Sequence, residues 1–221
     1  MQKSQRFEVL LPGDCRAEEV RATFRNRMEK LYIGWDDTFD RQYDNHSFLF
    51  LLHDGGGEFL ATCRLVFKYR GRNVYLTPME MGDVSRFSIS CQAQKVCEGG
   101  MMSFVSKEAA LKLSYGVCRW MTENRVECCY TTYDIRNILI KRLYTQKLGF
   151  SMVDGAVIKF SEFKSRKNGL PVEWQVLYTT LDKSWTTLTQ LETYNEGFYY
   201  EGDKYPRLTD WLNAEREMVY Q

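Results

Sequence analysis

The chain has 221 residues, 44% of them hydrophobic and 27% charged, with 30 Lys and Arg against 29 Asp and Glu. That size suits one domain, or one domain with a terminal extension, and the composition is that of an ordinary globular protein. A net charge of +1 excludes a global electrostatic drive toward nucleic acid or an anionic membrane, and no apolar run approaches the ~20 residues that span a bilayer.

The N-terminal MQKSQRFEVLLPGD carries no signal-peptide pattern, which leads to the expectation of a cytoplasmic protein. The cysteines Cys15, Cys63, Cys91, Cys97, Cys118, Cys128 and Cys129 form no C-x-x-C pair. Only His46 and His53 could add imidazole. Reduced, buried thiols are therefore expected rather than a zinc site.

In chain order, Asp14 is placed to cap a helix over 15–33, on which Val20, Phe24, Met28 and Leu31 recur at helical spacing. FLFLL (Phe48–Leu52) reads as a buried strand, HDGGGE (His53–Glu58) as a hairpin turn, and Phe59–Tyr69 as the returning strand. Asp83–Ser90 reads as a third strand, and 91–105 as irregular chain with Gly99 and Gly100. Ser106 caps a helix over 107–124. VECCYTTY (Val126–Tyr133) is too continuously apolar to be half exposed and belongs mid-sheet. Asp134 begins a helix that ends at Gly149 in QKLGF. Strands near Met152–Phe160 and Glu173–Thr180, a helix near Lys183–Glu192 and an aromatic, acidic tail follow. This mixed order predicts an α/β fold, one sheet with helices on both faces. Residues 1–192 form the domain, and 193–221 form an extension that packs on it.

The sequence has no metal motif, no G-x-S-x-G elbow and no P-loop. The remaining candidates for chemistry are charges at strand ends: Arg25 and Arg27 on the first helix, Asp36, Asp37, Asp40 and Asp44 around Trp35, Arg64 inside an apolar strand, and Asp83 three residues before Arg86. An unpaired charge in a low-dielectric sheet is costly. Two readings follow. Arg64 and Arg86 satisfy Asp40, Asp44 and Asp83 as a structural network, or the same network lines a cleft in which an amine attacks a carbonyl carbon.

Several segments together carry a family resemblance: R-N-R-M-E-K-L-Y-I-G-W (Arg25–Trp35), F-D-R-Q-Y-D (Phe39–Asp44), F-L-F-L-L, A-T-C-R-L (Ala61–Leu65), D-V-S-R-F-S-I (Asp83–Ile89) and K-R-L-Y-T-Q-K-L-G-F (Lys141–Phe150). In this order and spacing the chain resembles the GNAT superfamily. Within it, the chain is similar to the autoinducer (acyl-homoserine lactone) synthases and the long-chain N-acyl amino acid synthases. The resemblance runs from about residue 20 to residue 190. It implies a three-layer GNAT-like fold, with a central twisted mixed sheet.

It also implies roles for named residues. Asp83 is the general base, direct or through water, and Arg86 orients it. A backbone N–H near Phe87 or Ser88 polarises a thioester carbonyl. Arg64 and Asp44 brace the N-terminal lobe, Arg25 stands at a recurrent acceptor-side position, and Trp35 walls the acceptor pocket. The chain departs from the pattern in two places: Met28 or Glu29 stands where an aromatic is usual, and Arg41 where an acid is usual. The R/Q-x-x-G-x-G/A loop that grips CoA pyrophosphate is also missing; QKVCEGGMM does not fit it. That absence favours a donor carried by acyl carrier protein over acyl-CoA, with no permanently bound cofactor.

Between Ile135 and Leu170, eight Lys and Arg face only Asp154 and Glu162. Acyl carrier proteins are acidic, so Lys141, Arg142 and Lys147 form the expected docking patch. The sequence therefore predicts an enzyme that moves a fatty acyl group from acyl carrier protein to the α-amine of an amino acid or S-adenosylmethionine. An acetyl-CoA-dependent N-acetyltransferase and a non-catalytic GNAT-like binding module are the alternatives.

Overall fold

The computed structural model describes residues 5–36, 38–67, 95–194 and 198–219. Its centre is a hairpin whose apolar residues leave no face for water. Strand β3 (Ser47–His53) is buried along its length up to His53, and its partner β4 (Phe59–Phe67) is buried from Ala61 onward. Asp54 closes the turn between them, its carboxylate accepting from the backbone of Gly56 (2.8 Å) and Glu58 (3.0 Å).

Strand β1 (Gln5–Leu10), which the periodicity reading passes over, lies antiparallel to β3 and hides Phe7, Val9 and Leu10. Helix α1 (Ala17–Leu31) follows. Asp14 does not cap it: Arg16 occupies the N-cap, and the Asp14 carboxylate accepts from the Arg16 backbone N–H (2.9 Å). A two-residue strand β2 (Tyr32–Ile33) and a short helix α2 (Thr38–Arg41) lead to β3.

After β4, the next described strand is β5 (Val96–Phe104), where the sequence predicts irregular chain. Glycines weaken a strand's intrinsic preference, but β5 is flanked by β4 on one side and by β6 on the other, and ladder pairing overrides that preference. The expected strand Asp83–Ser90 lies outside the described residues.

Helix α3 (Lys107–Glu123) is capped as predicted, Ser106 Oγ accepting from Ala109 N (3.1 Å). Strand β6 (Cys128–Asp134) is central and buried. Helix α4 (Ile138–Arg142) is capped by Asn137 rather than Asp134, and runs into one turn of π-helix, Leu143–Lys147. Strands β7 (Ser151–Ser165) and β8 (Pro171–Thr180), helix α5 (Leu181–Leu191), a short β9 (Phe198–Tyr199) and helix α6 (Leu208–Val219) complete the chain.

The described strands form one mixed sheet in the order β2-β7-β8-β6-β5-β4-β3-β1-β9. Helix α1 covers one face, with Val20, Phe24 and Met28 against Leu49, Leu51 and Met101. Helix α3, the π-turn after α4, α5 and α6 cover the other face, around Trp120, Phe48 and Phe50. The segment from Phe198 onward packs on this second face: Trp211 meets Phe48 edge-on, and Trp120 Nε1 donates to Pro206 O (3.0 Å).

Candidate functional site

Strands β5 and β6 are parallel neighbours that pair over only three residues: Val96 with Cys128, Cys97 with Cys129, and Glu98 with Tyr130. From Gly99 onward, β5 has no strand on its β6 side among the described residues. The register against β4 slips at the same place, and Met101 takes a positive φ of 52°. A bulge of this kind re-aims the chain. Two glycines, Gly99 and Gly100, strip the exposed edge of side chains. The result is a wedge with bare backbone on one wall, at the C-terminal ends of two parallel strands.

On the α3 side the wedge leads into a narrow apolar cavity of about 50 Å³, walled by Leu65, Met102, Val117, Met121, Leu148 and Phe150. The thiols of Cys63, Cys118 and Cys129 also line it. Burial pushes the Cys63 thiol well up, and pushes Cys118 up to about 12. Both are neutral at physiological pH and poor nucleophiles.

One polar group stands out in this cavity. Tyr144 lies in the π-turn, buried, with its hydroxyl 3.5 Å from Met102 Sδ and the Thr131 hydroxyl beside it. Burial raises its pKa, so it remains a proton donor across the neutral range. Single π-turns in helices recur at functional sites. Neither Tyr144 nor the bare Gly99–Gly100 edge emerges from the sequence as a site residue. The available signals were the adjacent glycine pair, which allows close backbone approach, and the tyrosine just ahead of the helix-ending K-L-G-F.

The predicted acceptor-side residues lie on the opposite, α1 face. Arg64 is 3% exposed, with its guanidinium beneath Gly100 and 5.7 Å from the Tyr43 ring centroid. Asp44, next in the chain to Tyr43, pairs with an arginine of α1. That arginine is the buried Arg21, which also pairs with Glu18. Arg25 sits one turn further on, more exposed, and reaches Glu18 (3.1 Å).

Trp35 packs in a different group. Its ring meets Phe163 at 5.0 Å, Phe24 at 5.8 Å, Tyr32 at 5.9 Å and Trp174 at 6.1 Å. The structure therefore sets Arg64 beside the Tyr43 ring, pairs Asp44 with Arg21, and places Trp35 in a separate aromatic group. Asp83, Arg86, Phe87 and Ser88 lie outside the described residues. The strand bordering the wedge between β4 and β6 is Val96–Phe104.

Lys141, Arg142 and Lys147 are exposed on α4 and its π-turn, beside Ile138 and Leu139, which are 59% and 76% exposed. The link from β5 to α3 is only Val105 and Ser106. Ser106 Oγ already occupies one N-terminal N–H of α3. Glu108, in the first turn, is held ionised by Lys112 (2.8 Å). A helix N-terminus attracts phosphate through free N–H groups and its dipole, and this one offers a carboxylate instead. Among the described residues no group of three or more His, Cys, Asp or Glu side chains is placed to hold a metal ion, and no helix is long and apolar enough to cross a membrane.

A mixed sheet whose two parallel central strands part at their C-terminal ends, with helices on both faces, is the fold of the GNAT acyltransferases. The chain superimposes on FeeM, an N-acyl amino acid synthase from uncultured soil microbes, at a TM-score of 0.58 and 15% identity, covering 86% of this chain and 98% of that one. BjaI, a CoA-dependent acyl-homoserine lactone synthase solved with SAM and isopentyl-CoA, matches at 0.56 and 14%, covering 96% and 99%. Spermidine N-acetyltransferase from Vibrio cholerae, in complex with CoA and spermine, matches at 0.52 and 15%, covering 82% and 98%. No protein-family model matches the sequence, and comparison with curated proteins finds no significant match.

Proposed function

We propose that the protein is an N-acyltransferase that moves an acyl group from a thioester to an amine in a single ternary complex. One observation carries this reading: the edge of β5 at Gly99–Gly100, unpaired on its β6 side among the described residues, faces a wedge that also holds the buried Tyr144 phenol. The thioester carbonyl accepts a hydrogen bond from backbone N–H on that edge, which stabilises the oxyanion as the amine adds. The C–N bond forms and the C–S bond breaks. Tyr144 protonates the departing thiolate, and a carboxylate takes the proton lost by the amine. Asp83 is the residue proposed for that last role, assisted by Arg86. No covalent enzyme intermediate is required, and positioning supplies much of the rate.

The donor we favour is a fatty acyl group on acyl carrier protein, and the acceptor is the α-amine of an amino acid or of S-adenosylmethionine. Support for a carrier-bound donor comes from the two-residue β5–α3 link with Glu108 in the first turn, which disfavours a CoA pyrophosphate, and from the exposed Lys141, Arg142 and Lys147. The narrowness of the cavity supports a second reading, acetyl transfer from acetyl-CoA, since a long chain enters only if Met102 and Met121 move aside. Methionine's flexibility allows that movement.

Mass spectrometry of lipid extracts from cells expressing the chain, and its Asp83→Asn and Tyr144→Phe variants, tests the reading. An N-acyl amino acid or acyl-homoserine lactone appears with the unaltered chain. It falls by roughly 10²-fold or more in each variant, the range of general acid–base help, while thermal unfolding is unchanged. Acetylated amines in place of fatty amides would move the assignment to the second reading. No new acylated amine would refute acyl transfer.

A further inference from the structure

Arg27 stands in the middle of the α1 face, and its side chain reaches over the end of β5. Nη1 donates to Phe104 O and lies 3.4 Å from Ser103 Oγ, and the guanidinium sits 4.5 Å above the Phe104 ring centroid. All of these partners are neutral. By contrast, Arg21 is matched by Asp44 and Glu18, Lys112 by Glu108, and Arg136 by Asp134. Among the described residues no carboxylate pairs with Arg27, although it is partly buried and that burial lowers its pKa. A desolvated cation held only by dipoles is an unfavourable arrangement that an arriving anion relieves.

The position of the group identifies the anion. The wedge has two sides. On the α3 side it is apolar, walled by Val117, Met121 and Leu148, and suits an acyl chain. Arg27, from α1, stands at Ser103 and Phe104, the last residues of the stretch of β5 that has left β6. We propose that Arg27 binds the carboxylate of the acceptor and so selects amines that carry a free α-carboxylate over polyamines and simple amines. The planar fork of a guanidinium matches a carboxylate with two parallel hydrogen bonds. Anchored there, an α-amino acid presents its amine within one carbon of the anchor, toward the Gly99–Gly100 edge. Arg27 is a specificity residue that touches the acceptor, distinct from the groups that move protons. This inference rests on the acyl-transfer reading.

The experiment uses the purified chain, with acyl carrier protein and CoA donors in turn. The acceptors are the twenty α-amino acids and S-adenosylmethionine, each against its α-amide, with products read by mass spectrometry. The chain uses free acids about 10–100-fold better than amides, the worth of a charge-assisted pair. Arg27→Gln lowers kcat/KM for the acids by that factor and leaves the amides unchanged, and Arg27→Lys recovers part of the loss. Equal use of acids and amides by the unaltered chain would overturn the inference while leaving acyl transfer intact. So would an equal fall for both acceptor classes in Arg27→Gln, the mark of a purely structural role. If no amine is acylated from either donor, the acyl-transfer reading falls and this inference with it.

Discussion

Arg21 and Arg25 lie one turn apart on α1, yet only Arg21 is sequestered, its side chain 7% exposed against 28% for Arg25. Arg21 stands between Glu18 on its own helix and Asp44 from the turn before β3. Removing one partner of such a pair strands the other. Arg21→Met is expected to cost about 2–3 kcal/mol in urea unfolding, below the ~3–5 kcal/mol of a fully buried pair, because Asp44 keeps some contact with water. Arg25→Met, at the more exposed arginine, costs less.

Glu18 provides a second readout, since Arg21 first and Arg25 next lower its pKa from 4.5 to about 2. A carboxyl whose pKa is lower in the folded state adds stability above its unfolded value and loses it as pH falls through the folded one. The Glu18 contribution therefore fades from about pH 4.5 toward pH 2, and NMR titration of its carboxyl locates the midpoint. The family resemblance points to Arg25, and Arg21 stands one helical turn before it. Where Asp44 arrives is set by the loop after α2, which periodicity does not predict.

Among elements, the π-turn Leu143–Lys147 shows how a short motif acquires its meaning. Leu148 N closes the wide turn on Leu143 O (3.0 Å), and Gly149 follows with φ of 67°. A Cβ at Gly149 would overlap Thr187 Oγ1 of α5. Gly149→Ala therefore meets both backbone strain and a clash, an expected loss of about 2–4 kcal/mol. Gly57→Ala in the β3–β4 turn has the strain alone, with nothing within 4 Å of the added carbon, and costs about 1–2 kcal/mol. Comparing the two denaturation midpoints separates the terms.

The helix stop at K-L-G-F was legible in the sequence because glycine is the usual left-handed terminator. The extra residue that widens the turn and aims Tyr144 at the wedge was not, since it depends on how α4 meets β6 and α5. Strand β5 was illegible for a related reason: Glu98–Gly99–Gly100 lacks strand preference, and only its neighbours make it a strand.

At the scale of the molecule, the C-terminal segment is part of the core. Leu208 is fully buried, Leu208 N donates to Asn124 Oδ1 (2.8 Å), and Trp211 packs on Phe48. Ending the chain at Arg207 removes at least one wholly buried side chain and the Trp211 contact. It is expected to cost about 2–4 kcal/mol, seen as a lower Tm with the fold retained by circular dichroism. The docking patch belongs to this scale too. Reversing Lys141, Arg142 and Lys147 to Glu should raise KM for a carrier-linked donor about tenfold or more, and leave a CoA-linked donor unaffected, because long-range steering acts on the acidic partner alone. Unchanged carrier kinetics would place docking elsewhere.

The α/β class, the hairpin of β3 and β4, the buried β6, the Ser106 cap and the end of the Lys141–Phe150 motif follow from the amino-acid order. Each of these rests on a local rule: continuous apolarity, a glycine-rich turn, a side-chain cap, a left-handed glycine. Contacts across the fold set which arginine meets Asp44, where β5 and β6 part, that Tyr144 faces the gap, and that no carboxylate pairs with Arg27 among the described residues. These features join residues far apart in the chain, and a buried charge or a bare strand edge is defined by its neighbours in space.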